Sequence, residues 1–294
     1  MMQRVEMNDG NIYPVRDIIW ERRPRPQTIG LALGGGAARG IAHVGVLEVL
    51  EEHNIRPDYI AGASAGAVAG GLYAAGISAR RMHELVRTLK WRSVSGIRLP
   101  SFNLARLSAV TLPLGLLTLD RLIDWLDQIV GSAVDFDQLQ TPFAAVATDI
   151  VTGEMIVMNE GPIAPAIRAS CSVPGVFTPV RRNDRLLVDG GAVNNLPVSV
   201  VRQMGADYVI AVDLLRITGE TPIEPKSLLE VTLTALYLLI RATQNEAPLA
   251  DRTITPAIAH ISLADLGKAE ALIQAGRAAA EAVVPLIKQD LEMH

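Results

Sequence analysis

From residue 28 onward the apolar positions alternate between two rhythms. Short apolar runs that stop at glycine or an acid read as buried strands: "TIGLALGG" (28–35), "DYIAGA" (58–63), "PFAAVATDI" (142–150) and "EMIVMNE" (154–160). "RLLVDGG" (185–191), "ADYVIAVDL" (206–214) and a last strand "PAIAHISL" (256–263) continue the series. Between them apolar residues recur at helical spacing, as at Ile41, Val44, Leu47 and Leu50, with Asn54 as a C-terminal cap. Helices are predicted over 38–54, 65–76, 79–90 and 119–130, after Pro165, from Pro197, over about 226–245 and over 268–289. Alternating strands and helices predict a three-layer α/β/α fold with a mostly parallel central sheet. Residues 91–118 carry prolines and apolar side chains without a clear period, and are expected to form an irregular insertion in a domain spanning 28–290. Residues 1–27, charged and interrupted by proline, form an N-terminal extension.

Composition narrows the class. Hydrophobic residues make up 49% and aromatics only 4%, which suits a buried sheet of Ala, Val, Leu and Ile under helices. A net charge of −4 gives no electrostatic footprint for nucleic acid. The single cysteine, Cys171, cannot form an internal disulfide, so a reducing, cytoplasmic setting is expected. The N-terminus lacks an apolar signal core. The most apolar helical stretch, 228–240, is too short to span a bilayer and contains Glu230. Peripheral contact with a membrane stays open, and "ERRPRP" (21–26) reads either as a basic patch for anionic lipid or as a solvated arm.

Three motifs carry the chemistry. "LALGGGAARG" (31–40) puts Gly34, Gly35 and Gly36 between a strand and a helix, where backbone N–H groups can point at an anion. A dinucleotide turn, an oxyanion hole and a plain tight turn all fit. The next strand ends in "GASAG" rather than the acid a dinucleotide site wants, and the G-K-[ST] of a phosphate loop is missing. Gly62-Ala63-Ser64-Ala65-Gly66 matches G-x-S-x-G at a strand-to-helix junction. It reads as a nucleophile elbow or as a helix N-cap serine. "LLVDGGAVNNLPV" (186–198) ends a strand in Asp189, followed by Gly190 and Gly191, as a site acid or an Asx turn. In a parallel sheet the three motifs would share the edge where strand C-termini gather.

Together, in this order, these blocks resemble the patatin-like phospholipase family in its bacterial branch. "AIRASCSVPGVF" (166–177) and "TITPAIAHISLADLGKAEALIQAGRAAA" (253–280) add to a resemblance that covers roughly 28–285. It implies a serine acyl hydrolase acting on lipid or other carboxylic esters, for lipid breakdown or remodelling. Ser64 would be the nucleophile and Asp189 the general base, with no histidine. The turn Gly34–Gly36 with Ala37 would supply oxyanion donors. Arg39 would orient that loop or favour anionic lipid groups. No cofactor is implied, and no metal either, since no Cys/His cluster has ligand spacing.

Alternatives come from the residues themselves. Ser64, Asp189 and His260 stand in the chain order of an α/β-hydrolase triad, but His260 lies inside a predicted strand. His43 is expected to pack or cap near the glycine loop, and His53, His83 and His294 to lie at the surface. Cys171 has no evident histidine partner, and Asp149 and Asp213 end strands without a following Gly-Gly. A non-catalytic protein could use the glycine loop for a nucleotide or a partner. The segment around "AVTLPLGLLTL" (109–119) fits a lid or lipid-facing wall as well as it fits more core.

Overall fold

A computed structural model describes residues 28–97, 114–244 and 246–293. The N-terminal extension, most of the insertion (98–113) and His294 lie outside the described residues. The uninterrupted apolar runs become strands because both sheet faces are covered. In chain order the first half holds β1 (Ile29–Leu33), α1 (Ala42–Glu52), β2 (Tyr59–Ala63), α2 (Ala65–Ala74), α3 (Ala79–Arg87) and α4 (Trp91–Val94). There follow β3 (Gly96–Ile97), β4 (Gly115–Thr118), α5 (Asp120–Val130), β5 (Phe143–Asp149), β6 (Met155–Met158) and α6 (Ile163–Ser170). The remainder is β7 (Gly175–Phe177), β8 (Val180–Arg182), β9 (Arg185–Asp189), α7 (Val198–Gln203), β10 (Tyr208–Val212), α8 (Leu228–Thr243), β11 (Arg252–Ile254) and α9 (Ala269–Asp290).

The central sheet runs β11-β10-β1-β2-β5 in parallel, as predicted, and continues through antiparallel β9 and β8, with β6 also antiparallel to β5. Alternation along the strands splits the core. Leu31, Leu33 and Ile60 belong to a large cluster with α1, α2, α6 and α9. Ala32, Ala61 and Ala63 face the other way, where their small size lets Val198, Val200 and Val201 of α7 pack close. The result is the three-layer α/β/α architecture. The described part of the insertion forms α4 and the β3 and β4 strands of a small second sheet, β3-β4-β7.

Asn54 takes the expected helix-ending conformation, φ +57°, with its N–H on Glu51 O. The closing strand differs from expectation. It is Arg252–Ile254, whereas 256–263 runs as turns. The buried Ile258, Ile261 and Leu263 produce the apolar signal, but Pro256 interrupts any continuation of the ladder.

Candidate active site

β5 brings Ser64 and Asp189 together. Its residues 145–148 pair with β6, 143–146 pair with β2, and 147–149 pair with β9. One edge of a strand takes one partner per position, so β2 and β9 must lie end to end along the edge opposite β6. Ala63, the last residue of β2, pairs with Val146, and Asp189, the last residue of β9, pairs with Ala147. The two motifs therefore meet head-on. Asp189 does not arrive on a strand parallel to β2, as a shared C-terminal edge would require. β9 runs antiparallel and delivers its end to the same place.

Ser64 turns the chain from β2 into α2 with φ +53° and ψ −123°, a conformation that costs a non-glycine residue on the order of 1–3 kcal/mol. Contacts on all sides hold it there. A Cβ on Gly62 would stand 2.4 Å from Gly66 O, and one on Gly66 would stand 2.0 Å from Leu33 O, so only glycine fits at either place. The Ser64 N–H donates to Ser170 Oγ at 2.9 Å, and Ser170 Oγ donates to Val146 O at 2.6 Å, which pins the elbow to the end of α6.

Asp189 is buried, 4% exposed. Its Oδ1 accepts the Gly191 N–H at 2.8 Å, its carbonyl accepts Thr148 Oγ1, and its N–H donates to Ser172 O. Oδ2 has no hydrogen-bond partner of good geometry, and the Ser64 hydroxyl is the side-chain donor that interacts with the carboxylate. Burial raises the Asp189 pKa from 3.8 to about 6, against the opposing pull of the Ser64 hydroxyl and the Gly191 N–H.

The glycine loop packs on Ser64: a Cβ at Gly35 would lie 3.1 Å from Ser64 Cβ. Its first two N–H groups are engaged in the fold, Gly34 with Val212 O and Gly35 with Asn195 O, both at 3.1 Å. Among the described residues, the Gly36 and Ala37 N–H groups have no backbone acceptor; that of Ala37, which has φ +48°, meets the Tyr237 hydroxyl. His43 is fully buried, and its Nε2–H donates to Gly34 O at 2.8 Å. Burial lowers its pKa to about 4, so the ring is neutral and holds the loop. Arg39 donates from Nε to Ile261 O and from Nη2 to Ala259 O. The segment expected to be the last strand is thus the turn that anchors the loop.

Several site residues carried no signal in sequence. Tyr237 of α8 is buried, and its hydroxyl interacts with that of Ser64; burial, then the nearby Asp189 carboxylate, pushes the phenol pKa up. Gln244 accepts the Asn195 N–H at 2.7 Å and donates to Gly191 O at 2.7 Å, tying the end of α8 to the turn after Asp189. Asn195 in turn reaches the glycine loop, donating from Nδ2 to Gly35 O. Asn195 stood in plain view inside the third motif; Tyr237 and Gln244 sit on a helix about 50 residues further on, with no motif around them.

Beside Ser64 opens a cavity of about 340 Å³, walled by apolar side chains such as Val44, Leu72, Val86, Trp125, Leu117 and Leu233. Cys171 also lines it; burial, with Asp189 adding, pushes its thiol pKa well up, which leaves it un-ionised. A larger groove of about 840 Å³ touches Asp213 and Asn195 but neither Ser64 nor Asp189. Asp213 spends its Oδ1 on the N–H groups of Leu215 and Arg216, and Asp149 faces Arg185. His260 is exposed in a turn near Glu220, outside the serine's surroundings. No group of three or more His, Cys, Asp or Glu side chains among the described residues could hold a metal ion.

Comparison with known proteins places the chain in a family. The family described as Patatin-like phospholipase matches residues 31–202. An uncharacterized NTE family protein of Mycobacterium tuberculosis is 31% identical over 289 residues, covering 90% of this chain and 47% of that protein. Patatin-like phospholipase domain-containing protein 6 of Mus musculus is 35% identical over 190 residues, 64% of this chain and 13% of that one. The chain spans about half the length of the mycobacterial relatives it matches. The crystal structure of VipD from Legionella pneumophila shares the fold, with TM-score 0.51 at 13% identity over 97% of this chain and 70% of that one. ExoU in complex with SpcU, from Pseudomonas aeruginosa, does so with TM-score 0.51 at 14% identity over 91% of this chain and 53% of that one. With the family's description matching more than half of its residues, across all three motifs, the chain belongs to the patatin-like phospholipase family.

Proposed function

We propose that the protein is a serine acyl hydrolase that cleaves carboxylic esters of lipids through a Ser64–Asp189 dyad. Residues 28–290 would form the hydrolase domain, and 1–27 an extension to it. The observation that carries this reading is the meeting of a strained, tightly packed serine, which lines an apolar cavity, with a buried carboxylate whose Oδ2 lacks a partner.

Ser64 Oγ attacks the ester carbonyl carbon while its proton passes to Asp189 Oδ2. The carbonyl π electrons move onto oxygen, and that developing charge would be met by the Gly36 N–H, which has no backbone acceptor among the described residues, and by the Ala37 N–H in exchange for the Tyr237 hydroxyl, reinforced by the N-terminus of α2. With Gly34 and Gly35 held by Val212 and Asn195, the oxyanion role narrows to the latter half of the loop. When the tetrahedral intermediate collapses, the bond to the leaving oxygen breaks and Asp189 returns the proton to it, releasing the alcohol. Water then attacks the acyl-enzyme, gives its proton to Asp189, and the carboxylic acid leaves as Ser64 Oγ recovers that proton. A carboxyl of pKa about 6 suits both duties near neutral pH, far better than an aspartate in water at about 3.9. The apolar cavity would hold the acyl chain. Arg39, bound to two carbonyls, would shape the loop rather than contact lipid.

A fluorophosphonate ester probe tests the nucleophile. Wild-type protein should be labelled covalently at Ser64, and Ser64→Ala should not. Folded wild type that resists the probe, or equal labelling of Ser64→Ala, would overturn the assignment.

A further inference from the structure

The outward face of α8 is the reverse of an ordinary surface helix. Its exposed positions are Leu228, Val231, Ala235, Leu238, Leu239 and Ala242, together with Arg241 and Thr243 at the margins. At 100° per residue the aliphatic six form one stripe. The large ones are well exposed: Leu228 77%, Leu239 63%, Val231 and Leu238 50% each. The helix's charged residues, Glu230 and Arg241, fall outside the stripe, and Glu230 is bound to Ser262 Oγ and the Lys226 N–H. Along the stripe's flank, Thr232 Oγ1 donates back to Leu228 O at 2.8 Å and Thr243 Oγ1 to Leu239 O at 2.7 Å. Both hydroxyl protons are satisfied within the helix, so moving this face out of water strands no donor.

The stripe forms the outer side of a helix that walls the cavity. The other side of α8 contributes Leu229 and Leu233 to the cavity beside Ser64. β4 repeats the arrangement: Leu117 lines the cavity while Leu116 (62% exposed) and its neighbour Leu114 (69%) face outward. Two walls of one apolar cavity thus carry apolar outer surfaces. An aliphatic face with self-satisfied hydroxyls, joined to a cavity for hydrocarbon, matches the acyl region of a lipid surface better than the mixed chemistry of a protein interface. At 16 residues, about 24 Å, α8 lies along such a surface rather than across it.

We infer that α8 is an interfacial docking helix, which seats the outer faces of these two cavity walls on a lipid surface so that substrate is drawn from the aggregate rather than from water. The inference rests on the cavity being the acyl site. Flotation with phosphatidylcholine vesicles, alone and with phosphatidylglycerol, tests it directly. Wild type should float with both, because the stripe is uncharged, and still do so in high salt. The variant L228Q/V231Q/L238Q/L239Q should bind at least tenfold more weakly while hydrolysing a soluble short-chain ester at the wild-type rate. As a second probe, Leu239→Trp should show a blue-shifted fluorescence on vesicle addition relative to the unsubstituted chain. Wild type that floats with neither vesicle, a Gln variant that floats unchanged, or a Leu239→Trp variant whose emission does not shift would overturn the docking. So would a wild-type dimer that the Gln substitutions convert to monomer without altering flotation, which would make the stripe a contact between copies. Absent hydrolysis of the soluble ester by wild type would count against the enzyme assignment alone, since flotation reads docking independently.

Discussion

At the residue scale, Asp189 carries an electrostatic tension that sets its pH behaviour. Burial raises its pKa from 3.8 to about 6, so the folded protein holds this proton more tightly than the unfolded chain does. A general base must be ionised, so kcat/KM for a soluble ester should climb with pH through about 6 and level off above it. Stability runs the opposite way. The contribution of this group is fully present below pH 3.8 and is lost as pH rises through about 6, a change of roughly 3 kcal/mol at most. Asp189→Asn should therefore unfold at higher denaturant concentration than wild type at about pH 8, with the gain disappearing near pH 4. Paired urea melts at the two pH values check the sign; a variant less stable at the higher pH would show that the carboxylate is stabilised by partners rather than strained by burial.

At the element scale, the site depends on the ends of β2 and β9 meeting against β5, with the glycine loop after β1 packed on Ser64. The serine motif, the glycine loop and the aspartate were legible in sequence because each needs small residues at fixed places, as the near-contacts at Gly62 and Gly66 illustrate. Their manner of convergence was not. "RLLVDGG" records an apolar strand, but nothing local states that β9 runs antiparallel and abuts β2, since direction is set by the partner. The same holds for 256–263, where Ile258, Ile261 and Leu263 are buried as in a strand yet belong to the turn that binds Arg39. Tyr237 and Gln244 reach the site through the docking of α8, which no motif encodes. Ser170 is the tie that can be cut most cleanly. Ser170→Ala removes the acceptor of the Ser64 N–H and leaves Val146 O without that donor, in a fully buried place. A loss of about 1–3 kcal/mol is expected by thermal or urea melts, together with a fall in kcat larger than any change in KM. An unchanged kcat would mean that the elbow holds its geometry without α6.

At the scale of the whole molecule, the helical layer that covers one sheet face also encloses the cavity, with walls from α1, α2, α3, α5 and α8. Of the insertion, expected to be a lid or lipid-facing wall or else more core, Leu117 lines the cavity, Leu114 and Leu116 face outward, and 98–113 lies outside the described residues. Filling the cavity should change which esters fit without touching the dyad. Leu233→Trp is expected to lower kcat/KM for long-chain esters at least tenfold while leaving short-chain acyl esters within a few-fold; equal losses across chain lengths would place the acyl group elsewhere. The central claim is that Ser64 works with Asp189 and without a histidine. Its most direct test is hydrolysis of one soluble ester by Asp189→Asn and His260→Ala side by side. The account predicts activity at background for Asp189→Asn and near-wild-type activity for His260→Ala. A His260→Ala variant as inactive as Asp189→Asn, though folded, would contradict it and restore the triad.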